Sequence, residues 1–215
     1  MSKFRCEAVT KNYGNKVALT SFTSEVPDNV VVGLIGDNGA GKSTLLKILG
    51  KVHHATSGTY TCSGETVYHS DLDQLYDWMS PKLTESMYQD LYRDFEVEKF
   101  RELVELLKIP QNPGSGMSKG QRARLRLASS LARNVDMYLL DEPLSGIDAL
   151  SREKLLEAIN SRKQPGKTII LSTHEVRDAQ DVVDHLWILK PGELMMDEPK
   201  KNISIIDQMK EIYGD

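Results

Sequence analysis

The chain has only two cysteines, Cys6 and Cys62, with no companion residues at metal-ligand spacing. That excludes a disulfide framework and a thiolate zinc site, and both residues are expected to be plain thiols of a reducing compartment. A long hydrophobic run is also missing. The most apolar stretch, Val30-Val31-Val32-Gly33-Leu34-Ile35, is far short of the roughly 20 residues needed to span a bilayer. Any membrane association is therefore expected to come through a partner protein. Basic charge is not in excess: 27 Lys and Arg stand against 31 Asp and Glu, so nucleic acid is not an expected partner. The opening Met1-Ser2-Lys3-Phe4-Arg5 leads into mixed sequence and is not expected to act as a secretory signal. Internal repeats and low-complexity linkers are absent. What remains is 215 residues of ordinary globular composition, enough for one sizeable α/β domain, alone or with a small subdomain.

Apolar and polar residues alternate at Phe4, Cys6, Ala8 and at Phe22, Ser24, Val26. This predicts short antiparallel strands, with turns near residues 12–15 and 27–29. Residues 30–35 read as a buried central strand before a glycine-rich turn, and Leu45, Leu46, Ile48 and Leu49 mark one face of the helix that follows. From about residue 72 the pattern becomes helical. Phe100, Leu103, Val104 and Leu107 recur at helical spacing, residues 110–116 break that helix, and another should start near Ser118. Strands at 137–140, 168–171 and 186–189 then alternate with helices at 150–159 and 175–183. Alternation of this kind predicts a parallel sheet covered by helices. In the tail, Ile205, Ile206, Met209 and Ile212 share a helical face, which either docks on the core or makes a dimer contact.

The sharpest signal is Gly36-Asp37-Asn38-Gly39-Ala40-Gly41-Lys42-Ser43-Thr44, which fits G-x-x-x-x-G-K-[ST]. Glycines and a small Ala40 let the backbone wrap phosphate oxygens. The amides from Gly39 to Thr44 meet them at a helix N-terminus. Lys42 adds positive charge for the β- and γ-phosphates, and Ser43 offers a hydroxyl to Mg²⁺. Met137-Tyr138-Leu139-Leu140-Asp141-Glu142 is an apolar strand ending in two carboxylates. Asp141 would anchor the metal, and Glu142 would orient and deprotonate the attacking water. His174 stands at the end of another strand, placed to touch the γ-phosphate. Met117-Ser118-Lys119-Gly120-Gln121 gives a second anion-facing helix start. One chain cannot readily bring both helix starts to one γ-phosphate; two chains arranged head to tail can.

In this order the motifs resemble the ATP-binding cassette family, over nearly the whole chain. Residues 36–44 are similar to its Walker A motif, 117–121 to its signature, 139–142 to Walker B, 145–148 to its D-loop, and 172–175 to its switch-histidine segment. The resemblance implies a P-loop NTPase, RecA-like α/β core with an N-terminal antiparallel β subdomain (1–71 and 135–202). It also implies an inserted α-helical subdomain (72–134) and a C-terminal helix (203–215). It implies a homodimer or pseudo-dimer with two ATP molecules between cassettes, where Ser118, Gly120 and Gln121 of one chain face Lys42 and Ser43 of the other and Asp148 communicates across the interface. Tyr13 falls where the family stacks an aromatic on adenine, or is a turn tyrosine. Lys119 and Met117 depart from the usual signature, normally Leu-Ser-Gly-Gly-Gln. The family's loop glutamine, which reaches Mg²⁺, has no clean counterpart: Asp71 or Gln74 takes its place. The function implied is ATP hydrolysis at the cytoplasmic face of a membrane, powering separate integral membrane subunits in export. The alternatives are a non-transport ATPase of the family and a cassette that binds ATP without cleaving it. Lys42, Glu142 and His174 weigh against the last.

Overall fold

The computed structural model describes residues 4–26, 28–174, 180–201 and 204–213. The strands are β1 (Phe4–Tyr13), β2 (Lys16–Val26), β3 (Val31–Ile35), β4 (Ser57–Cys62), β5 (Thr66–His69), β6 (Met137–Leu140), β7 (Thr168–Thr173), β8 (His185–Lys190) and β9 (Glu193–Pro199). The helices are α1 (Lys42–Leu49), α2 (Pro81–Leu91), α3 (Val97–Leu106), α4 (Lys119–Leu131), α5 (Ala149–Asn160) and α6 (Ile205–Tyr213).

Two sheets form. One is antiparallel, in the order β2-β1-β4; the other has the order β5-β6-β7-β3-β8-β9. The antiparallel strands are longer than alternation predicts, at 10 residues for β1 and 11 for β2. Their ladder carries register shifts, and Ala8 and Ser21 adopt positive φ. These irregularities interrupt the period of two, so only fragments of each strand alternate cleanly. In the larger sheet every pairing from β5 to β8 is parallel. The antiparallel edge strand β9 was not expected; Pro191-Gly192 supplies its turn, with Gly192 at φ 80. The strands β4 and β5 were also not expected. β5 has only four residues, too few for alternation to register.

Strands β3, β6 and β7 are wholly buried. Their side chains nevertheless alternate between two apolar clusters, as the pleat requires. Val31, Ile35, Tyr138, Leu140, Ile169 and Leu171 face the cluster shared with Phe100, Leu103, Leu125 and Leu155 of the helices. Val32, Leu34, Met137, Leu139 and Ile170 face α1 and the antiparallel sheet. There Trp187 packs between Phe4 and Phe22, at ring-centroid distances of 5.8 and 5.2 Å. The helices α2, α3 and α4 share the apolar cluster of the sheet, so apolar burial bonds them to it directly.

The helix expected over residues 175–183 falls in part on 175–179, outside the described residues; residues 180–182 form a turn. In α6, Ile205 is buried and Ile206 is packed on the core cluster.

Candidate active site

Parallel strands point the same way, so their carboxyl ends gather at one edge. Strand order decides which ends are neighbours. The sequence β5-β6-β7-β3 sets the segments after residues 69, 140, 173 and 35 side by side. His69 pairs with Leu140, Leu140 with Leu171, and Ile35 with Thr173. The phosphate loop, the Asp141-Glu142 pair, His174 and Asp71 therefore meet at one rim.

The phosphate loop turns tightly because its glycines fit where a side chain would not. A Cβ on Gly36 would lie 2.5 Å from the carbonyl oxygen of Leu189, and one on Gly41 2.5 Å from that of Ala18. Gly41 is also the N-cap of α1, at φ 104. A Cβ on Gly39, at φ +85, would meet nothing within 4 Å beyond its chain neighbours, so this part of the loop is open. Lys42 is buried. Its Nζ donates to the carbonyls of Gly36 at 2.7 Å and Asp37 at 3.2 Å, and stands 3.5 Å from Glu142 Oε1. The other oxygen of that carboxylate, Oε2, is 2.9 Å from His174 Nδ1. Glu142 thus lies between the two cationic or polar groups expected at the γ-phosphate.

Asp141 is fully buried and surrounded by hydroxyls. Ser43 and Ser172 donate to Oδ1 at 3.0 and 2.8 Å, and Tyr68 donates to Oδ2 at 3.0 Å. Burial, together with the adjacent Asp141 carboxylate, pushes the Tyr68 phenol well above its ordinary range, which keeps its proton on oxygen to donate. Tyr68 and Ser172 were not singled out for roles by sequence. Both lie inside strands, Ser172 within the segment similar to the switch-histidine motif, and only strand pairing brings them to Asp141.

A cavity of about 250 Å³ follows the loop, lined by Tyr13, Asn38, Gly39, Gly41, Lys42, Ser43, Thr44, Asp71 and Glu142 among others. Tyr13 is 44% exposed there, with Lys11 Nζ 5.0 Å from its ring centroid and the His53 ring packed edge-on at 6.0 Å. Asp71 also lines an adjoining cavity of about 590 Å³ with Lys119, Glu142 and His174. Gln74 lines a different cavity, of about 150 Å³, with Tyr68 and Tyr88. Asp71, not Gln74, is thus the residue at the phosphate edge. The segment carrying it is fastened to α4: Arg122 donates to Asp73 at 2.6 Å and Asp77 at 3.0 Å, and Arg126 to the carbonyls of Ser70 and Leu72.

Ser118, Gly120, Gln121 and Asp148 do not line the cavity at the phosphate loop. Ser118 and Gln121 form a capping box on α4, with the Gln121 amide donating to Ser118 Oγ at 3.3 Å and the Ser118 amide to Gln121 Oε1 at 2.7 Å. Ser118 and Lys119 are exposed at that helix start. Asp148 caps α5, accepting from the Ser151 amide at 2.9 Å; its hydrogen bonding to Ser151 holds its carboxyl below the usual range. Phosphate loop and signature-like helix start are therefore separate elements of one chain.

No group of three or more His, Cys, Asp or Glu that could hold a metal occurs among the described residues. The oxygens of Ser43 and Asp141 suit a hard cation that completes its shell with phosphate oxygens and water, which is the habit of Mg²⁺.

Comparison with known proteins agrees with this geometry. A family model described as ABC transporter matches residues 19–145, more than half of the chain. An uncharacterized ABC transporter ATP-binding protein of Methanocaldococcus jannaschii is 32% identical over 197 residues, covering 89% of this chain and 75% of that protein. The lipopolysaccharide export system ATP-binding protein LptB of Haemophilus influenzae is 26% identical over 234 residues, covering 99% of this chain and 97% of that protein. Among solved structures, the dimeric post-hydrolysis state of an ATP-binding cassette bound to ADP and Pi has a TM-score of 0.81 at 21% identity. It covers 93% of this chain and 100% of that one, and shows the same fold. With a phosphate loop, a buried Asp141 and a Glu142 held at one sheet edge, the chain belongs to the ABC transporter family, as an ATP-hydrolysing cassette.

Proposed function

We propose that this chain is the ATPase subunit of an exporter, acting as a pair of cassettes on membrane-spanning domains carried by another chain. The observation that carries the pairing is the one-sided nucleotide site. The loop at residues 36–44 offers backbone amides and Lys42 to phosphates from one side, while the start of α4, with Ser118 exposed and Gly120 half-buried, lies outside that cavity. A second copy turned head to tail supplies its α4 start to the open side of the first. A separate membrane chain is supported by the helices: among the described residues none is long and apolar enough to cross a membrane. Export is supported by the function in the name of the Haemophilus relative. The place of work is then the cytoplasmic face of that membrane.

In this reading residues 72–134 form the helical unit, residues 1–71 and 135–202 the ATPase core, and residues 203–215 a C-terminal helix. Tyr13 stacks on adenine. Gly36, Asn38, Gly39, Ala40, Gly41, Lys42 and Thr44 hold the phosphates. Ser43, Asp141 and Asp71 would hold Mg²⁺, which would supply charge neutralisation for the phosphates when bound. Glu142 takes the water proton as attack begins, and His174 steadies the γ-phosphate. Gln121 supports Ser118 through the capping box, and Asp148 sits at the facing surface of the dimer.

Glu142→Gln tests the core of this proposal. It keeps the shape and removes the base, so ATP is expected to hold a stable dimer that size-exclusion chromatography resolves. A Glu142→Gln protein that cleaves ATP at the parent rate removes Glu142 from this role. Solubilising membranes and identifying the integral membrane protein that co-purifies tests the transport half. A chain recovered without any membrane partner, in cells that express its genomic neighbours, would count against it.

A further inference from the structure

Two carboxylates at the phosphate edge are joined by one hydroxyl. Ser172, in β7, has no exposed surface. Its Oγ accepts a hydrogen bond from the Glu142 amide at 2.9 Å and donates one to Asp141 Oδ1 at 2.8 Å. The direction of these bonds is forced. An amide can only donate and an ionised carboxylate can only accept, so the single hydroxyl hydrogen goes to Asp141 and a lone pair faces Glu142. The link to Asp141 is buried and the link to the Glu142 amide is half-buried, so removing the hydroxyl takes a partner from both groups.

Glu142 needs such a tether. Its φ is 46, in the left-handed region that residues with a Cβ rarely occupy. Local sequence does not favour that conformation, since neither Glu142 nor Pro143 has the short polar side chain that eases it. Within the segment the Ser145 amide donates to the Glu142 carbonyl at 3.1 Å, and from outside it the Ser172 hydroxyl is bonded to the Glu142 amide itself. With the backbone so turned, the Glu142 carboxylate reaches Lys42 Nζ at 3.5 Å and His174 Nδ1 at 2.9 Å. Tyr68 also bonds Asp141, but through the other oxygen, so the hydroxyl that links Asp141 to the Glu142 amide is that of Ser172.

We propose that Ser172 is a positioning residue for ATP hydrolysis: its hydroxyl ties the Glu142 backbone to Asp141 and so fixes where the Glu142 carboxylate stands. The proposal rests on Glu142 being the group that activates water. It does not require Ser172 to touch nucleotide, and Ser172 does not line the cavity at the phosphate loop. Loss of the tie should therefore act on turnover and leave substrate affinity nearly intact.

Ser172→Ala tests this with two readouts. The kcat for ATP hydrolysis is expected to fall by about 10–100-fold, as for other residues that orient a reacting group, while KM for ATP stays within about twofold. Hydrogen exchange of the Glu142 amide, measured on the nucleotide-free protein, is expected to rise by about tenfold or more. Ser172→Cys keeps the volume with a weaker donor and acceptor, and is expected to fall between parent and alanine variant; if Ser172→Ala does not fold, the cysteine variant carries the same two measurements. A Ser172 variant with parental kcat, or with parental exchange at the Glu142 amide, overturns the proposal. Glu142→Gln measured alongside separates the two ideas. If Glu142→Gln is inactive and the Ser172 variants are normal, only the tether fails. If Glu142→Gln itself turns over at the parent rate, the reading of Glu142 fails first.

Discussion

Replacing Gly41 by alanine should disable the phosphate loop far more than replacing Gly39, although both are loop glycines at positive φ. At Gly39 the new methyl meets nothing within 4 Å, so only the backbone conformation at φ +85 resists it. That strain is about 1–2 kcal/mol, or roughly a 5- to 30-fold loss of nucleotide affinity. At Gly41 the same kind of strain applies at φ +104, and the methyl carbon would also lie 2.5 Å from the Ala18 carbonyl oxygen and 2.9 Å from Leu19 Cδ2. Ala18 and Leu19 belong to β2, which is paired along its length with β1, and Leu19 is fully buried. The strand cannot easily retreat, so the loop must. Overpacking against a fixed strand costs about 1–3 kcal/mol more, which together with the strain is on the order of 100-fold. Gly41→Ala is therefore expected to weaken ATP binding by about 100-fold or more, against about 5- to 30-fold for Gly39→Ala. Titration with a fluorescent ATP analogue measures both, with thermal unfolding run beside it to show that the chain remains folded. Equal losses at the two positions would refute the steric argument, as would a Gly41→Ala protein that binds within about fivefold of the parent.

Ser118→Ala removes the N-cap of α4 and should lower stability by about 1 kcal/mol, seen as a drop of about 2–4 °C in Tm. In the head-to-tail reading it should also impair ATP-driven dimerisation while leaving nucleotide binding by the single chain intact; unimpaired dimerisation would argue against that arrangement. His69 predicts a sensitivity to acid. Burial, with Arg126 nearby, lowers its pKa from 6.5 to about 3, and its Nδ1 lies 3.2 Å from Ser130 Oγ. The unfolded chain takes up a proton below pH 6.5 that the folded chain refuses, so this stability is present above pH 6.5 and is lost as pH falls toward 3. The loss is roughly 2–3 kcal/mol by about pH 4.5, and His69→Gln should flatten this part of the profile of urea midpoint against pH. Parallel profiles for parent and variant would show that His69 is not the group responsible.

Much of the site was legible because its parts are contiguous. The phosphate loop is one strand, one turn and one helix start, so the G-x-x-x-x-G-K-[ST] pattern carries strand, cradle and charge together. Asp141 and Glu142 follow an apolar strand directly, and Ser118 with Gln121 shows the spacing of a capping box. Residues 57–69 were less legible. The strands β4 and β5 are short, and much of β4 is exposed, so neither gives a strong period. The edge strand β9 carries Met195 and Met196 next to acidic residues, and its only clear signal is the Pro191-Gly192 turn. Asp71 and Gln74 could not be separated by pattern. The structure puts Asp71 at the phosphate edge and Gln74 at another cavity.

By itself, the sequence determined the chemistry of the parts: which backbone can wrap a phosphate, which lysine and carboxylates follow it in candidate roles, and which helix start can receive an anion. Those properties depend on residues within a few positions of one another. Tertiary structure decided how the parts combine. The order β5-β6-β7-β3 makes neighbours of segments far apart in the chain, since side-by-side pairing depends on burial and hydrogen bonding across the whole sheet. That order brings Tyr68, Ser43 and Ser172 to one buried carboxylate. It also sets Glu142 in a backbone conformation that its own neighbours do not favour, because a hydroxyl 30 residues further along holds its amide.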